Sequence, residues 1–375
     1  MNNPFVTKGY AGPDYFCDRC KETKDMVDLI VNDNNIALIS PRRLGKTDLI
    51  RHCFEQTEIK DHYYTFLIDI YATSSINDFV FTLGKTILDE LKPKGRKVWE
   101  LFWRTVKSVQ SEVSFDINGN PVWGIGVGNT QNPSVTLEEI FTYLNNADKP
   151  CVVAVDEFQQ ITKYGNNGKL EATLRTYIQR CNRATFVFAG SKRHLMGEIF
   201  TSPSRPFYQS VITMGLAPIS VDAYTEFAVS LFLKFGKSVS PDAVRYVYQQ
   251  FNGVTSCLQR VMNVMFLKAD KNKVCGIDDA DEAIDYVLDF LSEGFESQLE
   301  QMPEKQKRVF MTIAFEHEVE NITSGAFFHK HKMLSPSSVA SAVKALLDKD
   351  LITRENGKYR VYDSFFGRWV NRDKR

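Results

Sequence analysis

Residues 40–47 read Ser-Pro-Arg-Arg-Leu-Gly-Lys-Thr, between the short apolar run Ile36-Ala37-Leu38-Ile39 and a helical pattern opening at Asp48-Leu49-Ile50-Arg51. Gly-Lys-Thr at the start of a helix, directly after a strand, has the form of a Walker A phosphate loop. In such a loop successive backbone N–H groups and the helix N-terminus point at phosphate oxygens, the Lys reaches the β- and γ-phosphates, and the Thr hydroxyl faces Mg²⁺. The expected binding set is therefore Ser40, Pro41, Arg42, Arg43, Leu44, Gly45, Lys46, Thr47 and Asp48, with Lys46 also acting on the transferred phosphate. The first position of the GxxxxGK[ST] pattern is Ser40 rather than Gly. Ser is harmless there with an extended φ, and costs about 1–2 kcal/mol if the position demands a left-handed one.

The alternative, a Gly-Lys-Thr helix start that binds nothing, has to be set against a second motif. Val152-Val153-Ala154-Val155-Asp156-Glu157 is an apolar strand ending in two acids, with Asp156 110 residues beyond Lys46. This is the form of a Walker B strand. Asp156, with Thr47, is expected to hold Mg²⁺, and Glu157 to polarise the attacking water. A further strand, Thr185-Phe186-Val187-Phe188-Ala189-Gly190, ends at Ser191, a polar side chain placed to sense the γ-phosphate or the water. Lys192, Arg193 and Arg205 follow as basic residues that either supply positive charge or are merely solvated.

The elements that must position these residues alternate. Apolar strands at Ile36–Ile39, Tyr64–Ile70, Cys151–Asp156 and Thr185–Gly190 are separated by helical patterns, which predicts an α/β fold with a parallel sheet covered by helices on both faces. Asn118-Gly119-Asn120-Pro121 between Val113–Ile117 and Val122–Ile125 marks a hairpin insertion at about 113–126. Beyond Gly215 the pattern is helical to about Glu300, with new helices starting at Ser240-Pro241 and at Gly276-Ile277-Asp278-Asp279. From Pro303, Ser335-Pro336 caps an apolar helix through Leu347, and a hairpin turns at Asn356-Gly357, the plan of a winged helix. The expected domains are 1–215 (nucleotide-binding, with the insertion), 216–302 (helical lid) and 303–375 (winged helix).

The composition agrees with this plan and removes other classes. In 375 residues, 46 Lys+Arg balance 46 Asp+Glu, which argues against a polybasic binder, and 43% hydrophobic with 25% charged residues suits a water-soluble globular chain. No run has the apolar length of a membrane span and the first residues lack a secretory pattern, so a cytoplasmic location is expected. Seven scattered cysteines are an odd number, and Cys17-Asp18-Arg19-Cys20 lacks the second pair a zinc site needs, so reduced thiols are expected.

Taken in order, these motifs resemble the archaeal-type ATPase family, of the STAND branch of AAA+ proteins, over nearly the whole chain. Phe16-Cys17-Asp18-Arg19-Cys20-Lys21-Glu22 is similar to the family's opening aromatic-Arg-Glu motif, and Pro41 to Thr47 to its Pro-Arg-Arg-x-Gly-Lys-Thr loop. Asp156-Glu157-Phe158-Gln159 matches its strand ending, and Phe186 to Ser191 its sensor strand. The resemblance implies ATP as the nucleotide, Mg²⁺ as the metal, ATP hydrolysis, and a C-terminal winged helix. Two departures stand out. Pro206-Phe207-Tyr208-Gln209-Ser210 lacks the Arg that family members often carry after the sensor, and Asn252-Gly253-Val254-Thr255 lacks the His-Pro that commonly follows the Gly.

The C-terminal block from Pro303 holds 14 Lys+Arg against 9 Asp+Glu, so its excess of five leaves the rest of the chain at −5. That asymmetry permits DNA binding without demanding it. The helix from Pro336 presents Ser337, Ser338, Ser341 and Lys344, with no Arg to read guanine, so a protein-docking or autoinhibitory module fits at least as well as a DNA-binding one. In the wing, Arg354, Lys358 and Arg360 could meet phosphates. Two readings of function stand at this stage: a Mg²⁺-dependent ATPase acting as a nucleotide-driven switch, with nucleotide-dependent self-association allowed, or a nucleotide-stabilised binding module with little hydrolysis.

Overall fold

The computed structural model describes residues 3–94, 96–108, 113–115, 121–123, 132–165, 167–331, 335–355 and 357–372. The chain forms two compact units. The first, Lys8–Ile219, runs α1 (Cys20–Val31), β1 (Ile36–Ile39), α2 (Lys46–Phe54), α3 (Thr57–Lys60), β2 (Tyr64–Asp69), α4 (Ile76–Leu91) and α5 (Arg96–Thr105). It continues with β3 (Val113–Phe115), β4 (Pro121–Trp123), α6 (Pro133–Asn146), β5 (Cys151–Asp156), α7 (Asn167–Arg180), β6 (Ala184–Gly190), α8 (Arg193–Thr201) and β7 (Ile212–Gly215).

Five of these strands build one sheet in the order β2-β5-β6-β1-β7, every neighbour parallel. The side-chain period of two assigns each residue a face. Val152 and Ala154 of β5 and Val187 and Ala189 of β6 join Ile36 and Leu38 against α1, α2 and α3. Val153, Val155, Phe186 and Phe188 point the other way, into a larger core with α4, α5, α6, α7 and α8. Both faces are buried, so these strands read as continuous apolar runs, and each fully buried Val, Ile or Phe contributes about 1.5–3 kcal/mol. Because all strands are parallel, β1, β5 and β6 deliver their carboxyl ends to one edge, with Ile39 in register with Gly190 and Asp69 with Asp156.

The sequence pattern did not mark β7. It pairs with β1 at the sheet edge, Ile39 opposite Gly215, and its side chains are mostly exposed, so Ile-Thr-Met-Gly carries no buried alternation to detect. β3 and β4 pair antiparallel, Val113 with Trp123 and Phe115 with Pro121, while the expected Asn118-Gly119 turn lies outside the described residues.

The second unit takes in Met1–Thr7 and Ser220–Arg375. Its elements are α9 (Val221–Lys234), β8 (Ser238–Val239), α10 (Pro241–Gln250), α11 (Thr255–Lys268), β9 (Val274–Cys275) and α12 (Ile277–Glu300). After these come α13 (Glu304–Glu316), α14 (Gly325–His331), α15 (Pro336–Asp348), β10 (Ile352–Glu355), β11 (Lys358–Val361) and α16 (Ser364–Val370). The caps are local: Ser240 Oγ accepts from Ala243 N at 3.1 Å, Ser335 Oγ from Ser338 N at 3.2 Å, and Gly276 N donates to Asp279 Oδ2 at 2.7 Å.

Two contacts within this unit could not be read from patterns. Phe5, fully buried, packs its ring against Phe232 and Phe266 at 5.4 and 6.1 Å, and Asn263 Nδ2 donates to its carbonyl at 2.7 Å. At the other end α16 clasps the winged helix to the helical segment before it. Phe366 stacks on Phe295 of α12 at 4.6 Å and 6° and touches Phe310 of α13 at 4.7 Å. Trp369 Nε1 donates to Ser292 Oγ at 2.9 Å, and Arg372 pairs with Asp289 at 2.5 Å.

Candidate functional site

Residues 40–45 leave β1 and turn into α2 through two left-handed positions, Arg43 (φ 67°) and Gly45 (φ 85°). Apart from its neighbours in the chain, no atom of the described residues lies within 4 Å of where a Gly45 Cβ would stand, so its requirement is conformational rather than steric. Ser40 is absent from the positive-φ positions among the described residues, so Ser in place of the pattern's Gly bears no left-handed cost. It is fully buried and donates its N–H to Gly190 O at 3.4 Å, which anchors the start of the loop to β6. Leu44 is buried beneath the loop, Arg43 is exposed, and Pro41 is half-buried.

Lys46, only 6% exposed, folds back along the loop and donates from Nζ to the carbonyls of Ser40 (3.0 Å) and Pro41 (2.9 Å). Burial pushes its ammonium down to about 8; Asp156 and Glu157 oppose that shift, while Arg42 and Arg193 add to it. Thr47, the next residue of α2, donates from Oγ1 to Asp156 Oδ2 at 2.5 Å, joining the helix start to the tip of β5. Burial raises the Asp156 carboxyl, against the pull of the Thr47 hydroxyl and the Glu157 N–H. Asp48, on the same first turn, is also raised by burial, and Arg51 lowers it in part.

Glu157 takes φ 54°, a left-handed conformation that costs a non-Gly residue about 1–2 kcal/mol and turns the chain sharply off the strand. Its Oε2 accepts from Ser191 Oγ at 2.9 Å and from Gln159 Nε2. Arg42 reaches across from the loop, Nε donating to Ser191 Oγ at 3.1 Å and Nη2 standing 3.9 Å from Glu157 Oε2. The guanidinium lies over the Tyr71 ring, 5.7 Å from its centroid. The structure thus brings together Lys46, Thr47, Asp156, Glu157, Ser191 and Arg42 from the ends of three strands.

Of the basic residues after the sensor, Arg205 is committed elsewhere, its Nη1 and Nη2 at 3.4 and 3.2 Å from Glu171 and Glu198. Arg193, first residue of α8, is one of the charges that depress Lys46. Sequence reasoning missed two participants. Gln159 lies in the quoted Asp-Glu-Phe-Gln run but was given no role. Arg19 (φ 66°) pairs with Glu22 at 2.6 Å and donates from Nη2 to Ala217 O at 2.7 Å and to Leu44 O of the loop at 3.5 Å. The signs were the Arg-x-x-Glu spacing, about one helical turn, and the place of both residues in the Phe16–Glu22 segment, which carried the family resemblance without a stated role.

Among the described residues no group of three or more His, Cys, Asp or Glu could hold a metal ion. The oxygen pair of Thr47 and Asp156 suits a hard cation that keeps its other positions for water and phosphate, as Mg²⁺ does.

The parallel sheet covered on both faces, the loop-to-helix turn at the tip of β1 and the winged helix at the C-terminus define a P-loop NTPase fold with helical and winged-helix segments after it. The chain belongs to the family described as "ATPase domain predominantly from Archaea", which residues 16–261 match, and residues 293–372 match a "probable winged helix domain". An uncharacterized ATP-binding protein of Methanocaldococcus jannaschii is 23% identical over 275 residues, covering 69% of this chain and 74% of that protein. A Walker-type ATPase of Pyrococcus abyssi superposes with a TM-score of 0.67 at 14% identity, covering 98% of this chain and 99% of that one. The ORC2 protein of Aeropyrum pernix, in complexes with ADPNP and ADP, superposes at 0.59 with 11% identity, covering 99% and 98%. No helix among the described residues is long and apolar enough to cross a membrane.

Proposed function

We propose that this protein binds Mg²⁺-ATP at the carboxyl edge of its sheet and hydrolyses it slowly, as a nucleotide-driven conformational switch. The observation that carries the reading is the 2.5 Å bond from Thr47 to Asp156, which links the loop-helix start to the acid-tipped strand beside Lys46 and Glu157. The Thr47 hydroxyl can keep donating to Asp156 while its lone pairs face the metal. Bound there, Mg²⁺ would neutralise phosphate charge as the bond to the leaving group breaks. Lys46 supplies a cation to the β- and γ-phosphates, and the backbone N–H groups of residues 42–47 supply further donors. Glu157 accepts the proton of the attacking water, and Ser191 and Arg42, which already meet, respond to the γ-phosphate. The ATP-binding name of the Methanocaldococcus relative supports the choice of nucleotide.

The clasp of α16 on α12 gives the switch an output. With Phe366 stacked on Phe295, rotation of the helical segment carries the winged helix with it. The division into 1–215, 216–302 and 303–375 is retained here as a functional one. For the winged helix we favour a protein partner over DNA, on one observation. Lys358 is engaged by Glu318 and Glu320 at 3.2 and 3.1 Å, Arg360 by Glu318 at 2.9 Å, and Arg354 lies over Tyr359.

Phosphate release by Glu157→Gln tests the central claim. The amide keeps the shape but cannot take a proton, so ATP binding should persist while turnover falls by roughly 10²–10⁴-fold. Wild-type turnover in that variant, with binding intact, removes Glu157 as the base.

A further inference from the structure

Glu157 has two carboxylate oxygens in different surroundings. Oε2 accepts from Ser191 Oγ and Gln159 Nε2 and faces the Arg42 guanidinium, whereas no hydrogen bond from the described residues reaches Oε1. The donors therefore hold the carboxylate by one oxygen and leave the other for water. Gln159 is the residue that completes this hold, since its Nε2 also donates to Ser191 Oγ at 3.4 Å.

Two features argue that Gln159 is not there for packing. It is 4% exposed, and its own amide oxygen is buried with no hydrogen-bond partner among the described residues. A site chosen for stability alone would carry an apolar side chain, because a buried unsatisfied carbonyl is costly. The end of β6 also makes room for it. A Cβ on Gly190 would fall 2.5 Å from Gln159 Oε1 and against Met196, so glycine at the strand tip lets the amide lie across to the carboxylate.

We propose that Gln159 is a positioning residue for hydrolysis: its amide fixes the Glu157 carboxylate through Oε2 so that Oε1 faces the attacking water, with Ser191 as the shared second anchor. The proposal rests on Glu157 being the base. It assigns Gln159 no contact with nucleotide, so the substitution should alter turnover and leave affinity alone.

The test uses the full chain, with steady-state phosphate release and titration of a fluorescent ATP analogue. Gln159→Met keeps the volume and removes the amide, and kcat should fall roughly tenfold, about 1.4 kcal/mol, while KM and the analogue's Kd stay within about twofold. The thermal midpoint should not drop, since the unpaired carbonyl goes as well. In a Glu157→Gln background the same substitution should change the residual rate by less than about twofold, as expected for two residues that act as one unit. Gln159→Ala, which avoids any misfit of the Met side chain, should give the same kinetic pattern. Wild-type kcat in both Gln159 variants, or an equal fold-loss in both backgrounds, overturns the proposal. If Glu157→Gln itself turns over at the wild-type rate, the reading of the base fails first and takes the proposal with it.

Discussion

Lys46→Ala tests whether the loop at residues 40–47 meets phosphate, and the structure sets the scale of the effect. The ammonium is nearly enclosed, and its fall from 10.5 to about 8, burial outweighing the pull of Asp156 and Glu157, means that the surroundings together disfavour the charged form by roughly 3 kcal/mol at 1.36 kcal/mol per unit. Phosphate oxygens reverse that penalty by supplying charge-assisted partners, each contributing about 1.5–3 kcal/mol. Removing the side chain forfeits one or two such bonds, so Mg²⁺-ATP affinity should fall by roughly 30- to 1,000-fold, about 2–4 kcal/mol.

The same side chain predicts a pH dependence. Free Lys46 loses its proton through about pH 8, while a bound phosphate raises that value, so binding takes up a proton and affinity should decline as pH rises above 8. The fold responds in the opposite sense. Because the folded value lies below the unfolded one, the unfolded chain binds more protons between about 8 and 10.5, and this group's contribution to stability grows with pH there. Fluorescent-nucleotide titrations from pH 7 to 9.5 should show the decline in the wild type and its absence in Lys46→Ala, with circular dichroism verifying the fold. Unchanged affinity in a folded Lys46→Ala protein would refute the phosphate-loop reading.

Thr47→Ala should weaken the Mg²⁺ dependence of nucleotide binding, and Asp156→Asn should impair it further, because Asp156 is the charged member of the oxygen pair; both are read from Mg²⁺ titrations at fixed ATP. If the wing meets phosphates, Glu318→Gln with Glu320→Gln releases Lys358 and Arg360, and duplex binding at low salt should strengthen and fall steeply with added salt. No duplex binding by either form, with turnover altered on deletion from Pro303, assigns the winged helix to a protein partner or to internal regulation. Phe366→Ala removes a 2%-exposed ring from the stack with Phe295 and Phe310 and should cost about 3–5 kcal/mol, seen as a lower melting temperature and as protease cleavage between α12 and α13.

Much of the candidate site was legible because the motifs that mark it are local. A phosphate loop needs a turn into a helix start within eight residues, and an acid at a strand tip needs only the apolar run before it, so Ser40–Thr47 and Val152–Glu157 announce themselves. The central strands were equally plain, since burial on both faces forces unbroken apolar runs such as residues 151–155. β7 was not, because a mostly exposed edge strand of four residues needs no particular pattern.

What the sequence determined by itself, then, was the fold class and the choice of Lys46, Thr47, Asp156, Glu157 and Ser191 as candidate residues, each singled out by its neighbours along the chain. Tertiary structure alone decided which of them touch. The strand order β2-β5-β6-β1-β7 sets β6 between β1 and β5, and so brings Ser191 within reach of both Arg42 and Glu157. It also set Gln159 against Ser191, gave Arg205 to Glu171 and Glu198, and packed Phe5 among helices more than 200 residues away in sequence. The physical reason is one of range. Propensity, capping and periodicity act over a few residues, whereas a hydrogen bond between strand tips exists only once the cores on both faces have set the sheet's order and register.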